Sequence, residues 1–92
     1  MLGQRINEIR QASGLNQVEL AKRLNISKQT VSNWENDNIQ PSIEMLVRIS
    51  KFFGVTTDYL LGLDNIPRLS VEGLPTHVIA HLSLLIEDYR KE

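Results

Sequence analysis

The chain has 92 residues, 41% of them hydrophobic, and its 10 Lys and Arg against 11 Asp and Glu leave a formal net charge of −1. This composition predicts one small globular domain with room for one appended element, and it argues against a diffusely basic nucleic-acid-binding protein while leaving a local basic face open. The absence of cysteine excludes disulfides, thiolate metal sites and a cysteine nucleophile.

Turn-forming residues divide the first part of the chain into stretches that leave room only for short helices, and no stretch has the alternation of a strand ladder. These residues are Gly14, Asn25, Pro41, Gly54 and Gly62. Leu2, Ile6 and Ile9 share one helical face, which predicts a first helix that Gly14 ends in a left-handed conformation.

Two capping signals eleven residues apart predict the second and third helices. Asn16 with Glu19 three residues later matches a capping box, and Ser27 caps the next helix. Asn25 lies between them and can adopt the left-handed conformation of a sharp corner. Two short helices joined by such a corner form the helix-turn-helix arrangement, whose second helix lies in the DNA major groove.

The predicted unit of residues 1–62 contains two further helices. Ser42 opens the fourth helix, Gly54 closes it, and Thr57 caps a brief fifth helix. We therefore expect an all-α fold.

A linker over residues 63–73 separates this unit from a last segment, residues 74–92, whose helix is expected to begin near Pro75 as its first helical residue. Leu74 would be a poor cap for this helix, and Thr76 is the other candidate for the cap. Apolar side chains at helical spacing form a stripe along this amphipathic helix. They are Leu74, Val78, Ile79, Leu82, Leu85, Ile86 and Tyr89. We interpret the stripe as a homodimer interface, with folding back onto the chain's own domain as the alternative.

The third helix has two different faces. Val31 and Trp34 point inward, whereas the opposite face is polar and almost uncharged. The polar face consists of Gln29, Ser32, Asn33 and Asn36, with Lys28 at its edge. Gln and Asn can bond adenine bidentately, and Lys can reach guanine, so this surface suits contacts to base edges.

Spaced positions across all five predicted helices match one family pattern. They are the run QVELAKRLNISKQTVSNWEN, the preceding GLNQ, and the later PSIEML and VTTDYLLG segments. Over about residues 1–62 the chain resembles the lambda-repressor-like, Cro-type helix-turn-helix family of bacterial and phage transcription regulators, also called the xenobiotic-response-element family. The resemblance implies a five-helix DNA-binding domain, and we expect the protein to act as a homodimeric repressor on a palindromic operator in double-stranded DNA.

The resemblance also implies roles for individual residues. The recognition helix corresponds to residues 27–36, and the implied base contacts come from Lys28, Gln29 and Asn33, with Ser32 as a further candidate. The implied phosphate contacts come from Asn16, Gln17, Asn36 and Asn38. An arginine of the first helix pairs with the glutamate that ends the recognition helix in similar proteins, and Arg10 and Glu35 occupy those places. A solvated surface pair is the plainer interpretation of these two residues.

Other classes of function have weaker support. His77 and His81 have a metal-capable spacing, but no third ligand accompanies them, so we expect neither a metal site nor any other cofactor. No catalytic constellation is evident, which argues against an enzyme. No apolar run approaches a membrane span, and the first residues lack the apolar region typical of a signal peptide, so a cytoplasmic protein without a membrane partner is expected.

The competing hypothesis keeps the fold but gives it a protein as its main partner. An antitoxin or a bridging factor would bind a toxin or an anti-repressor in this way. The tail after Gly62 carries three Lys and Arg against five Asp and Glu, and this acidic balance leaves the hypothesis open.

Overall fold

The structure is a computed structural model and describes residues 2–66 and 68–91. All regular secondary structure in these residues is helical, which confirms the all-α prediction. The helices are α1 (Leu2–Ala12), α2 (Gln17–Leu24), α3 (Lys28–Glu35), α4 (Ile43–Phe53), α5 (Thr57–Leu60) and α6 (Thr76–Arg90). Three residues of the predicted segments lie outside the described residues, namely Met1, Pro67 and Glu92.

Local hydrogen bonds define the helix-turn-helix pair α2–α3. The Asn16 side chain accepts from the Glu19 N–H at 2.8 Å, and the Glu19 carboxylate accepts from the Asn16 N–H at 3.0 Å, which completes the capping box. Asn25 ends α2 in the left-handed conformation, with φ 58° and ψ 47°. The Ser27 hydroxyl then accepts from the Thr30 N–H at 3.1 Å and starts α3. The turn between the two helices is therefore determined by contacts between residues that are close together in the sequence.

Two predicted helix starts are wrong by one residue. The hydroxyl that caps α5 belongs to Thr56, which accepts from the Tyr59 N–H at 3.0 Å, and Thr57 is the first helical residue. A capping residue needs an extended backbone, and Thr56 has it, with ψ 155°. Pro75 occupies the capping position of α6 with ψ 154° and makes no side-chain cap, and Thr76 is the first helical residue. Neither Leu74 nor Thr76 therefore caps this helix.

The core lies among the first five helices. Helix α3 packs against α1 and α2, while α5 packs against α1 and α4. The buried hydrophobic side chains are Leu2, Ile6, Leu20, Ala21, Leu24, Val31, Trp34, Ile49, Val55 and Leu60. This packing holds α3 at the surface with one face in the core and the other face outward.

Helix α6 buries none of its residues. Along its apolar stripe, Leu82 is 38% exposed, Leu85 is 53% exposed and Tyr89 is 70% exposed. No helix within the described part of the chain combines the length and the hydropathy needed to cross a membrane.

Candidate nucleic-acid interface

The outward face of α3 carries the predicted base-contacting residues. Val31 and Trp34 are buried and hold the helix on the core. Lys28 and Gln29 are exposed on the outer face, and Ser32 and Asn33 are half-buried. The structure thus brings all four candidates onto one side of one short helix, where amide and ammonium groups are accessible to a partner.

Hydrogen bonds along this face orient its amides. Gln29 Nε2 donates to Asn33 Oδ1 at 3.1 Å, one turn further along α3. Asn36 Nδ2 donates to Ser32 Oγ at 3.3 Å in the same way. Each amide keeps further donors and acceptors beyond its intrahelical contact, as bidentate bonding to an adenine edge requires.

The start of α2 is the first predicted phosphate site. The first N–H groups of a helix have no intrahelical partner, and the helix dipole is positive at this end. Asn16 uses its side-chain oxygen for the cap, and its two amide N–H donors remain for a phosphate. The Gln17 side chain points towards Glu35 in this structure, because its Nε2 donates to Glu35 Oε1 at 3.1 Å.

The loop after α3 is the second predicted phosphate site. Asn36 and Asn38 are both exposed, and the Asn38 N–H donates to the Asn33 carbonyl at 2.9 Å. Between them Asp37 has a positive φ of 56°, and its Oδ1 accepts from the Gly3 N–H at 3.1 Å. The acidic side chain is thus tied to the first helix, and the loop presents its two asparagines outward.

Gly3 is a residue of this site that sequence reasoning missed. A Cβ at this position would lie 2.4 Å from the Trp34 carbonyl oxygen and 2.8 Å from that of Glu35. Only a residue without a side chain lets α1 approach the end of α3 this closely. A glycine in the first turn of a predicted helix was the available signal.

Arg10 of α1 and Glu35, the last residue of α3, lie together where the two helices meet. Arg10 Nε donates to Glu35 Oε2 at 2.7 Å and Nη2 donates to Oε1 at 3.0 Å, so the contact is bidentate. The Arg10 side chain is 10% exposed and that of Glu35 is 3% exposed. The structure therefore shows a buried pair instead of a solvated one. A third Arg10 donor, Nη1, reaches the Leu15 carbonyl at 2.8 Å.

Further donors converge on Glu35. Asn7 Nδ2 donates to Oε1 at 2.7 Å, in addition to the contact from Gln17. Burial raises the pKa of Glu35, but hydrogen bonds from Arg10, Gln17 and Asn7 outweigh burial, and the net pKa is lowered. The hydrogen bond to Glu35 raises the pKa of Arg10. Both groups are therefore charged at neutral pH. Asn7 was missed by sequence reasoning, and its spacing of three residues from Arg10 on α1 was the only signal.

The two histidines of α6 are adjacent on the helix, with ring centroids 6.4 Å apart. Within residues 2–66 and 68–91, no group of three or more histidine or acidic side chains could hold a metal ion.

Several regulators are similar to this chain. The HTH-type transcriptional regulator ImmR of Bacillus subtilis (strain 168) is 42% identical over 67 residues, which are 73% of this chain and 53% of that protein. The repressor protein C2 of Salmonella phage P22 is 33% identical over 64 residues, which are 70% of this chain and 30% of that protein. The chain thus spans about half the length of the first of these relatives and less of the second.

Solved structures of similar proteins share this fold. The P22 c2 repressor in complex with a synthetic operator matches with a TM-score of 0.65 and 33% identity, over 70% of this chain and 97% of that one. SinR, the master regulator for biofilm formation, in complex with DNA matches with a TM-score of 0.62 and 34% identity, over 66% of this chain and 98% of that one. The helix-turn-helix family model covers residues 6–60 of this chain. The chain therefore belongs to the helix-turn-helix family of the lambda-repressor-like, Cro type.

Proposed function

We propose that residues 1–62 bind double-stranded DNA in a sequence-specific manner and that the protein regulates transcription as a repressor. The observation that carries this proposal is the outward polar face of α3, where Gln29 and Asn33 are aligned by a 3.1 Å hydrogen bond and Lys28 lies beside them. The similar P22 c2 repressor is solved with an operator and the similar SinR with DNA, which supports the same partner here. A cytoplasmic location follows from this function.

The proposed contacts divide into two classes. Base edges are contacted by Lys28, Gln29 and Asn33, with Ser32 as a further candidate, whereas phosphates are bound by Asn16, Gln17, Asn36 and Asn38. Phosphate contacts position a protein on the duplex, and base contacts distinguish sequences. The start of α2 suits phosphate contacts because its unpaired N–H groups and positive dipole end favour an anion. No metal or cofactor takes part in these contacts.

The proposed active form is a homodimer. Most of the stripe on α6 is exposed in the single chain, with Val78 and Ile79 half-buried, and burying such side chains against a second copy would stabilise the pair by about 25 cal/mol per Å². Residues 63–73 then form the linker and residues 74–92 the dimerisation segment. Two recognition helices related by a two-fold axis about 34 Å apart would fit a palindromic operator.

The experiment that tests this function starts from a pool of random duplexes. We expect the full-length chain to select a palindromic sequence. Its affinity for that duplex should fall steeply with salt, because phosphate neutralisation releases counterions. Selection of no common sequence, with binding that does not depend on salt, would contradict the proposal. In that case a protein partner, such as a toxin or an anti-repressor bound to the apolar stripe of α6, becomes the alternative.

A further inference from the structure

Oxygen Oε1 of Glu35 has more donors than lone pairs. It accepts from Asn7 Nδ2 at 2.7 Å, from Arg10 Nη2 at 3.0 Å and from Gln17 Nε2 at 3.1 Å. A carboxylate oxygen offers two lone-pair directions, so the three donors compete. The Gln17 contact is the longest of the three, and Gln17 is therefore the donor that Oε1 can lose at the smallest cost.

Asn7 is oriented for its short contact. Its Oδ1 accepts from Gln11 Nε2 at 2.7 Å, one turn further along α1. Turning the Asn7 amide over would place its oxygen against the Glu35 carboxylate and its nitrogen against the Gln11 amide group. The Gln11 amide could turn over in response, but an ionised carboxylate can only accept, so the contact with Glu35 fixes the orientation with Nδ2 towards it. Glu35 thus has a fixed donor from α1 that does not depend on Gln17.

We propose that Asn7 is a positioning residue that frees the Gln17 side chain for the DNA backbone, an inference that rests on the phosphate contact proposed for Gln17. When the Gln17 amide turns to a phosphate, Oε1 keeps its contacts with Asn7 and Arg10. Without Asn7, the same movement leaves a buried carboxylate oxygen with a single donor. A buried acceptor that loses a partner carries a desolvation penalty, and that penalty would weaken the DNA complex.

The test is a double-mutant cycle on the dissociation constant of the full-length chain, measured by fluorescence anisotropy. The probes are a random-sequence duplex and the duplex recovered by selection. Asn7→Ala should weaken binding to both by about three- to tenfold, the value of one hydrogen bond. The same substitution in a Gln17→Ala background should have no effect, because no Gln17 amide remains to be released. Gln4→Ala is the control, since it removes the 3.0 Å hydrogen bond to Glu8 on α1 without touching Glu35, and binding should not change.

A second cycle, on the urea midpoint of the free protein, tests the shared oxygen independently of DNA. Each donor can replace the other on Oε1, so each single variant should lower the midpoint slightly. The Asn7→Ala/Gln17→Ala double variant should lower it by more than the sum of the two single shifts.

The outcomes separate this inference from the proposed function. A wild-type chain that binds neither duplex overturns the proposed function, and the Gln17 phosphate contact with it. A wild-type chain that binds, together with equal losses from Asn7→Ala in both Gln17 backgrounds or with no loss in either, overturns the role of Asn7 alone. Additive shifts of the urea midpoint also overturn it, because they would show that the two donors do not share Oε1.

Discussion

Replacing Glu35 by alanine should lower the free energy of unfolding by about 3 to 5 kcal/mol, which is the cost of removing one partner of a buried ion pair while the other stays charged. The carboxylate is only 3% exposed, and it accepts two hydrogen bonds from Arg10 and one each from Asn7 and Gln17. After the substitution the Arg10 guanidinium would keep only the Leu15 carbonyl, at 2.8 Å. A buried cation would then be left without its counter-charge.

A double-mutant cycle by urea denaturation at pH 7 measures the pair itself. Arg10→Ala/Glu35→Ala should be less destabilised than the sum of the two single variants by about 1 to 3 kcal/mol, because the double variant leaves no charge uncompensated. The matched control is the exposed pair of Arg90 and Glu87, in which Nη1 of Arg90 lies 3.4 Å from Oε1 of Glu87. The coupling energy of this pair should stay below about 1 kcal/mol. A coupling near zero between Arg10 and Glu35 would refute the argument from burial.

The same pair predicts how stability depends on pH. Folding lowers the pKa of Glu35, so the unfolded chain binds the proton more readily than the folded protein does. The stabilisation is therefore complete above the unfolded pKa of about 4.3 and is lost as the pH falls through the lower folded pKa. Glu35→Gln should remove the part of the stability loss at acidic pH that comes from protonation of Glu35. Urea midpoints measured from pH 7 to pH 3 check the prediction, and an unchanged pH dependence in the variant would contradict it.

Three further substitutions test the interface and the association of the chain. Gln29→Ala should lose about 1 to 3 kcal/mol on the selected duplex and almost nothing on a scrambled one, and equal losses on both would exclude a base contact. Gly3→Ala should lower the free energy of unfolding by about 1 to 3 kcal/mol in a urea titration, because the new Cβ would lie 2.4 Å from the Trp34 carbonyl oxygen. Gln4→Ala, on the exposed side of α1, should leave the free energy of unfolding unchanged. Leu82→Asp should produce a folded monomer that binds the selected duplex far more weakly. Sedimentation equilibrium checks this, and a wild-type chain that stays monomeric at tens of micromolar would reject the interface on α6.

The secondary structure of the first five helices could be predicted because its signals are local. The capping box of Asn16 with Glu19 spans three residues, and the left-handed conformation of Asn25 depends on that residue and its immediate neighbours. The two wrong helix starts have the same origin. Thr56 and Thr57 are equally able to accept a hydrogen bond, and only the backbone conformation decides which hydroxyl reaches the open N–H group. Local chemistry therefore identified these helices but not always their first residue.

Part of the candidate site could also be predicted from the sequence. Helical rotation by 100° per residue separates the polar face of α3 from Val31 and Trp34, and the structure has these two side chains buried. That Gln29 or Lys28 contacts a base stays a prediction, because exposure of a polar side chain does not identify its partner. The same holds for α6, where periodicity predicts an apolar stripe and the single chain leaves most of it exposed.

Tertiary structure alone decided which residues contact the end of the recognition helix. Asn7 is 28 residues from Glu35 in the chain, and Gly3 is 34 residues from Asp37, so no local pattern relates the members of either contact. Family resemblance pointed to Arg10 and Glu35, but their burial depends on how closely α1 approaches the end of α3. The sequence by itself therefore determined the helices and their polar and apolar faces, because those depend on neighbours within a few residues. Packing between distant helices decided which polar groups share the carboxylate of Glu35, because a buried charge is tolerated only where enough donors converge on it.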